Sequence, residues 1–316
     1  KSGHKDQKTR EMIARAQIKN VLFDKEWKTI KEKLENEGIW YLPVKGVIIK
    51  NLYPDYGIRE FADHDILFDA KKAEKVKEIM ESLGYTTKSF AAGNHDVYQK
   101  KPCLNFEMHT ALFSKSFNEK IYGYYEDIEE RLQGAGNEKH LTPEDFYIYI
   151  TAHEYKHFSK GGTGLRSLLD IYLYLKKQKL DMEYVYKELD KLGIKEFEEK
   201  NRNLAQHLFG KEELNEEETE MLNYIISSGV YGNLFNFVQN EIKRKKISRL
   251  KYALERLSVP VSKKDKRYPV FAGRYPLFYK YKILLPFLPL YRIYISKKSG
   301  RFNSELQAIK KAKSAS

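Results

Sequence analysis

The feature that most constrains this chain is the run Asp63-His64-Asp65 leading directly into Ile66-Leu67-Phe68. A short, continuous apolar run of this kind reads as a buried strand rather than a helix. Side chains alternate faces along a strand, so the two aspartates point the same way, a few ångströms apart. Adjacent carboxylates repel unless a cation lies between them. Hard oxygen ligands in that arrangement suit magnesium carrying a bound polyphosphate. Upstream, Lys45-Gly46 separates a predicted strand at residues 39–44 from a predicted short helix at 47–53. Gly46 permits a tight turn and close backbone approach, the amides at a helix start attract anions, and Lys45 adds a point charge. A phosphate cradle beside a metal site is the reading of the pair; the plainer alternative is an ordinary turn next to a solvated strand end.

A third carboxylate is expected on a neighbouring strand. In Leu104-Asn105-Phe106-Glu107-Met108-His109 the apolar residues occupy one face and Asn105, Glu107 and His109 the other. Glu107 is therefore the candidate, with His109 beside it as a substrate or phosphate contact. A helix at 70–83, a strand at 85–90 and a turn at Gly93-Asn94 fill the interval.

These residues resemble the nucleotidyltransferase superfamily with the DNA polymerase beta-like fold, in which a strand, a tight turn and a helix precede an Asp-x-Asp strand and a later carboxylate. The closer resemblance is to its largely uncharacterised bacterial branch, carried here by Lys45-Gly46, Tyr53-Pro54, Arg59 and Asp63-His64-Asp65. His64 departs from the branch, which has an apolar residue between its aspartates. The resemblance is strongest over 40–70, weaker to about 175, and returns loosely at 276–292. It implies that Asp63, Asp65 and Glu107 hold Mg²⁺ or Mn²⁺ and carry catalysis. Lys45 and Gly46 would hold the nucleotide phosphates, and Arg59 would neutralise the leaving pyrophosphate. The implied reaction moves a nucleoside monophosphate from an NTP, with ATP the expected donor, to a hydroxyl or phosphate of an anionic acceptor (small molecule, peptide, saccharide or RNA).

A helical region follows. Thr142-Pro143-Glu144-Asp145 reads as a helix start, running to about 158, with further helices near 165–175, 181–191, 195–208 and 215–227. Within the first, His153-Glu154-Tyr155-Lys156-His157 matches the H-E-x-x-H pattern of zinc hydrolases. The extended form of that pattern fails, because Thr163 stands where a third histidine belongs. The resemblance gives another role: His153, His157 and Arg166 contact phosphate or acceptor, and Asp170 orients one of them. A buried polar cluster tying two helices together is the competing reading.

The formal net charge of +13 is unevenly placed: residues 241–316 hold 21 Lys and Arg against four acids, so the basic excess belongs to the C-terminal quarter. Such a segment could recruit an anionic acceptor, and its aromatics interleaved with lysines at 275–290 are compatible with peripheral membrane contact. The single cysteine, Cys103, rules out an internal disulfide and fits a cytoplasmic location. No signal peptide or spanning apolar run is read, and a few native residues are expected ahead of Lys1. The expected architecture is α+β: a polymerase beta-like mixed sheet with helices at 1–135, a helical domain at 136–240 and a basic C-terminal extension at 241–316 packing on the body. The competing functions are an RNA-end nucleotidyltransferase, a zinc hydrolase and a non-catalytic binding module.

Overall fold

The computed structural model describes residues 2–59, 62–229, 232–265 and 267–312. The chain divides into two compact units, one of Lys1–Tyr155 with Ser167–Glu218, the other of Lys156–Arg166 with Thr219–Ser316.

The first unit opens with helix α1 (Ser2–Asn36), followed by strand β1 (Tyr41–Pro43), short helix α2 (Gly46–Ile49) and strand β2 (His64–Phe68). Helix α3 (Ala73–Ser82) leads into β3 (Thr86–Ser89), β4 (His95–Lys100) and β5 (Leu104–His109). The five strands form one mixed sheet in the order β1-β2-β5-β4-β3. Only the β2–β5 pair is parallel among these neighbours, and its register sets Asp65 opposite Glu107. In the antiparallel β4–β5 pair, His95 lies opposite His109.

Alternation along the strands decides which face is core. Ile66 and Phe68 of β2, with Leu104, Phe106 and Met108 of β5, pack against Phe23, Ile30 and Leu34 of α1 and Val76, Ile79 and Met80 of α3. Asp65, Glu107 and His109 therefore leave from the opposite face. His64 belongs to the core face: it is fully buried, its ring stacks on Phe23 at 4.9 Å and tilts against Phe106 at 5.2 Å. The residue that breaks the expected apolar pattern thus occupies the apolar seat. Burial, helped by nearby Lys50, pushes its pKa down to about 3, so the ring is neutral.

Strand β4 was not expected; the sequence reading placed only a turn at Gly93-Asn94. The inward-facing residues of β4 are Asp96 and Tyr98, and the carboxylate at a core position hides the alternation. Asp96 is accommodated by accepting a hydrogen bond from the Ala91 amide at 2.7 Å.

Beyond the sheet come α4 (Glu119–Tyr124), α5 (Pro143–Lys160), α6 (Leu165–Lys177), α7 (Met182–Leu192) and α8 (Lys195–Gly210). The expected start of α5 is observed, with the Thr142 hydroxyl accepting from the Asp145 amide at 3.0 Å. Buried Tyr147 of α5 donates to Glu198 of α8 at 2.6 Å, joining those helices. The α+β architecture with following helices is the one expected.

The second unit holds the last turn of α5 and the first residues of α6. It adds α9 (Glu216–Ser228, whose first turn lies in the first unit), α10 (Leu234–Lys245), α11 (Arg249–Leu257), α12 (Tyr268–Arg274), α13 (Pro276–Lys280), α14 (Leu288–Lys298) and α15 (Arg301–Lys311). Prolines stand in the first turn of α12, α13 and α14, where the missing N–H costs no hydrogen bond. They divide the basic region into short helices. Val238 and Ile242 of α10 pack with Tyr252 of α11 and Ala308 of α15 as a small core. Among the described residues no helix is long and apolar enough to cross a membrane.

A neutral buried histidine makes a pH prediction. The unfolded chain takes up a proton at His64 near pH 6.5 and the folded chain only near 3, so stability is full above 6.5 and is lost as pH falls below it. At pH 5 the loss is about 2 kcal/mol. Urea melts at pH 5 and 7.5 should show that His64→Leu abolishes this part of the acid loss; an identical loss in both proteins would contradict the assignment.

Candidate active site

Parallel pairing of β2 with β5 brings the predicted carboxylates together. Asp65 is 3 % exposed and Glu107 half-buried. Asp63, one residue before β2, acts electrostatically on Glu107 together with Asp65, so all three acids share one patch. Burial and then the two aspartates push the Glu107 carboxyl up to about 7. That is the behaviour of a carboxylate in surplus negative charge.

Asp65 is held the other way. Burial alone would raise its pKa, but Lys45 Nζ at 2.5 Å from Oδ1 and His109 Nε2 at 2.9 Å from the same oxygen keep it well below the usual range. His109 is itself buried, and burial lowers its pKa to about 4. Its ring is therefore a neutral hydrogen-bond partner of Asp65.

The turn before α2 is built differently from the expectation. Gly46 is the first helical residue, and the positive φ falls on Lys45 (φ 52, ψ −123). A non-glycine residue rarely adopts this conformation, which costs about 1–3 kcal/mol. Here it turns the Lys45 side chain back toward Asp65 while its carbonyl accepts from the Ile48 and Ile49 amides. The Gly46 and Val47 amides precede these first helical bonds, as at any helix start.

Arg59 is 7 % exposed and forms a bidentate pair with Asp170 of α6, Nε to Oδ1 at 2.8 Å and Nη2 to Oδ2 at 2.7 Å. Tyr53 donates to the same Oδ1 at 2.7 Å. Asp170, expected to orient a histidine or Arg166, holds the two residues that flank the loop before β2. The reason is geometric, because α6 presents a buried carboxylate to a planar guanidinium that can satisfy both of its oxygens.

On α5, Glu154 is 4 % exposed and accepts from Asn201 of α8 at 2.8 Å. It faces a helix interface, with its pKa raised to about 7 by burial. This placement does not serve a zinc-hydrolase base. Among the described residues the one group of three potential metal ligands is His95, Glu107 and His109, which includes neither His153 nor His157. His153 lies one turn along α5 from Tyr149, with ring centroids 6.2 Å apart. His157 and Arg166 belong to the second unit.

Two neighbours were missed in the sequence. Tyr149 is fully buried, and burial, then Asp65 and Glu107, raise its phenol well above the ordinary value. It therefore places α5 beside the carboxylates; nothing in a run of helical aromatics distinguishes it. His95 sits on the unrecognised strand β4, 3.7 Å from Glu107 through Nε2 and Oε2. Reading the alternation from residue 95 to 99 would have found it.

A mixed sheet with acids converging from two parallel strands beside a Lys-Gly turn defines a phosphate-transferring class of site. The family described as uncharacterised nucleotidyltransferase matches residues 6–210, and the chain belongs to that family. Its reaction class is therefore nucleotidyl transfer, the movement of a phosphorus-containing group. No curated protein and no solved structure matches the chain.

The Arg59–Asp170 pair gives a stability prediction. Asp170→Ala leaves a buried guanidinium uncompensated and should cost about 3–5 kcal/mol. Combining it with Arg59→Met should recover a large part of that loss. Equal destabilisation of single and double variants in denaturant melts would show that the pair is not the source.

Proposed function

We propose that the protein moves a nucleoside monophosphate from an NTP, with ATP the expected donor, to a hydroxyl or phosphate of an anionic acceptor. The observation that carries this reading is the convergence of Asp63, Asp65 and Glu107, with Glu107 pushed up to about 7 by its burial and by the two aspartates. Such a patch is suited to a divalent cation, and Mg²⁺ or Mn²⁺ would be held by these three acids. When bound, the ion supplies charge stabilisation for the triphosphate and the attacking oxygen.

The chain's own residues position the reactants. The ammonium of Lys45 has three donors, one of them used on Asp65, so it can take a phosphate oxygen while keeping Asp65 ionised. The leading amides of Gly46 and Val47 face the same end of α2 and can add hydrogen bonds to phosphate. Arg59, held by Asp170 through Nε and Nη2 and acting electrostatically on Asp65, would neutralise charge on the departing pyrophosphate. His109 holds Asp65 from the other side, and His153 is a further candidate for acceptor contact. The acceptor oxygen bonds to the α-phosphorus, the bridge to the β-phosphorus breaks, pyrophosphate leaves, and the acceptor's proton passes to water. Positioning and electrostatics carry such a reaction.

The basic stretch at 241–316 is the expected recruiter of the anionic acceptor. Part of its charge is internally paired: Arg244 and Lys245 reach Glu241, and Lys245 also reaches Glu255.

Thermal shift tests the reading. NTP with Mg²⁺ should raise Tm more than the sum of each alone. Asp63→Asn and Asp65→Asn should each remove that synergy. Persistence of the full synergy in both variants would end the catalytic assignment.

A further inference from the structure

Glu107 has a neighbour, His95, that the proposed reaction does not use. His95 Nε2 and His109 Nε2 each lie 3.7 Å from the same Glu107 oxygen, Oε2. The candidate ligand atoms of the three residues all fall within 4.8 Å of one another. In a tetrahedral site with bonds of about 2.1 Å, ligand atoms are about 3.4 Å apart. The observed spacing is within a few tenths of an ångström of that figure for two of the three edges. Register explains why: antiparallel β4–β5 pairing sets His95 directly opposite His109, with Glu107 two residues earlier on the same face of β5.

The chemistry of the set differs from that of the aspartates. His109 is 3 % exposed, and its Nε2, which hydrogen-bonds Asp65 Oδ1 at 2.9 Å, would exchange that proton for the ion. Two imidazoles and one carboxylate are the donors that select zinc-like first-row ions, whereas Mg²⁺ takes oxygen in near-octahedral geometry.

We infer that His95, Glu107 and His109 form a binding site for a divalent transition ion of the zinc class, next to the carboxylate patch and occupied without nucleotide. The site shares Glu107 with the proposed catalytic centre but does not depend on transfer taking place. Three protein ligands leave a coordination position open to water or to an acceptor atom, the arrangement of catalytic rather than structural zinc.

Cobalt(II) alone is the probe, because in a nitrogen–oxygen site of low coordination number it absorbs in the visible. Full-length protein stripped with chelator and dialysed should bind a single Co²⁺ with such a band, resist a thousandfold excess of Mg²⁺ and lose the band to Zn²⁺. His95→Ala should weaken Co²⁺ binding roughly tenfold or more. His157→Ala and Asp63→Asn should keep it, which separates this site from the H-E-x-x-H helix and from the NTP–Mg²⁺ site. Histidine-ring NMR of the unmutated protein checks the ligands without relying on a variant's folding: Zn²⁺ should shift two ring systems that remain unshifted with Mg²⁺. Absence of a Co²⁺ band, equal affinity in folded His95→Ala, or loss of the band in His157→Ala would overturn the inference. Intact Co²⁺ binding in a protein lacking NTP–Mg²⁺ synergy would support this site while removing the proposed transfer.

Discussion

Everything in this site depends on negative charge that the parallel β2–β5 pair forces together. The register puts Asp65 opposite Glu107, and Asp63 joins them from the end of the loop. Two opposite pKa displacements result from one arrangement. Asp65, gripped by Lys45 and His109, stays ionised despite burial, and Glu107 is left to absorb the repulsion. A sheet built this way sets acid beside acid through its backbone pairing.

Strand alternation keeps that charge out of the core. His64 sits between the aspartates yet points to the other face, between Phe23 and Phe106. Its neutrality is a consequence of that seat, since an imidazolium without solvent there would be costly. The same rule places His109 beside Glu107 while Met108 between them enters the core. Each strand thus supplies an acid-bearing face and a packing face at once, and a shift of one residue would exchange them.

Much of this was legible in the sequence. The spacing of Asp63 and Asp65, and the clean alternation of residues 104–109, identified the acids that converge. The helices from Thr142 onward were marked by a cap, a proline and apolar periodicity. What escaped was set by long-range pairing. Strand β4 was hidden because Asp96 takes an inward position, and with it went His95, whose proximity to Glu107 exists only through cross-strand register. The strained conformation at the turn fell on Lys45 rather than Gly46, which local propensity alone would not have assigned. Asp170 was singled out, but its partners, Arg59 and Tyr53, are more than 100 positions away.

That last contact explains how an all-helical segment contributes to a site made on a sheet. Asp170 is buried on α6, and a buried carboxylate must have its charge met by donors. Arg59 and Tyr53 meet it fully, and both lie in the stretch that joins α2 to β2. The described part of the stretch, residues 53–59, is turns and bends, and it is held by these two side chains and by Tyr56, which donates to Asp24 and accepts from Gln17 of α1. Asp63 follows Arg59 by only four residues. What helix α6 contributes is an anchor: a substitution at Asp170 acts first on Arg59 and Tyr53, the two residues that it holds.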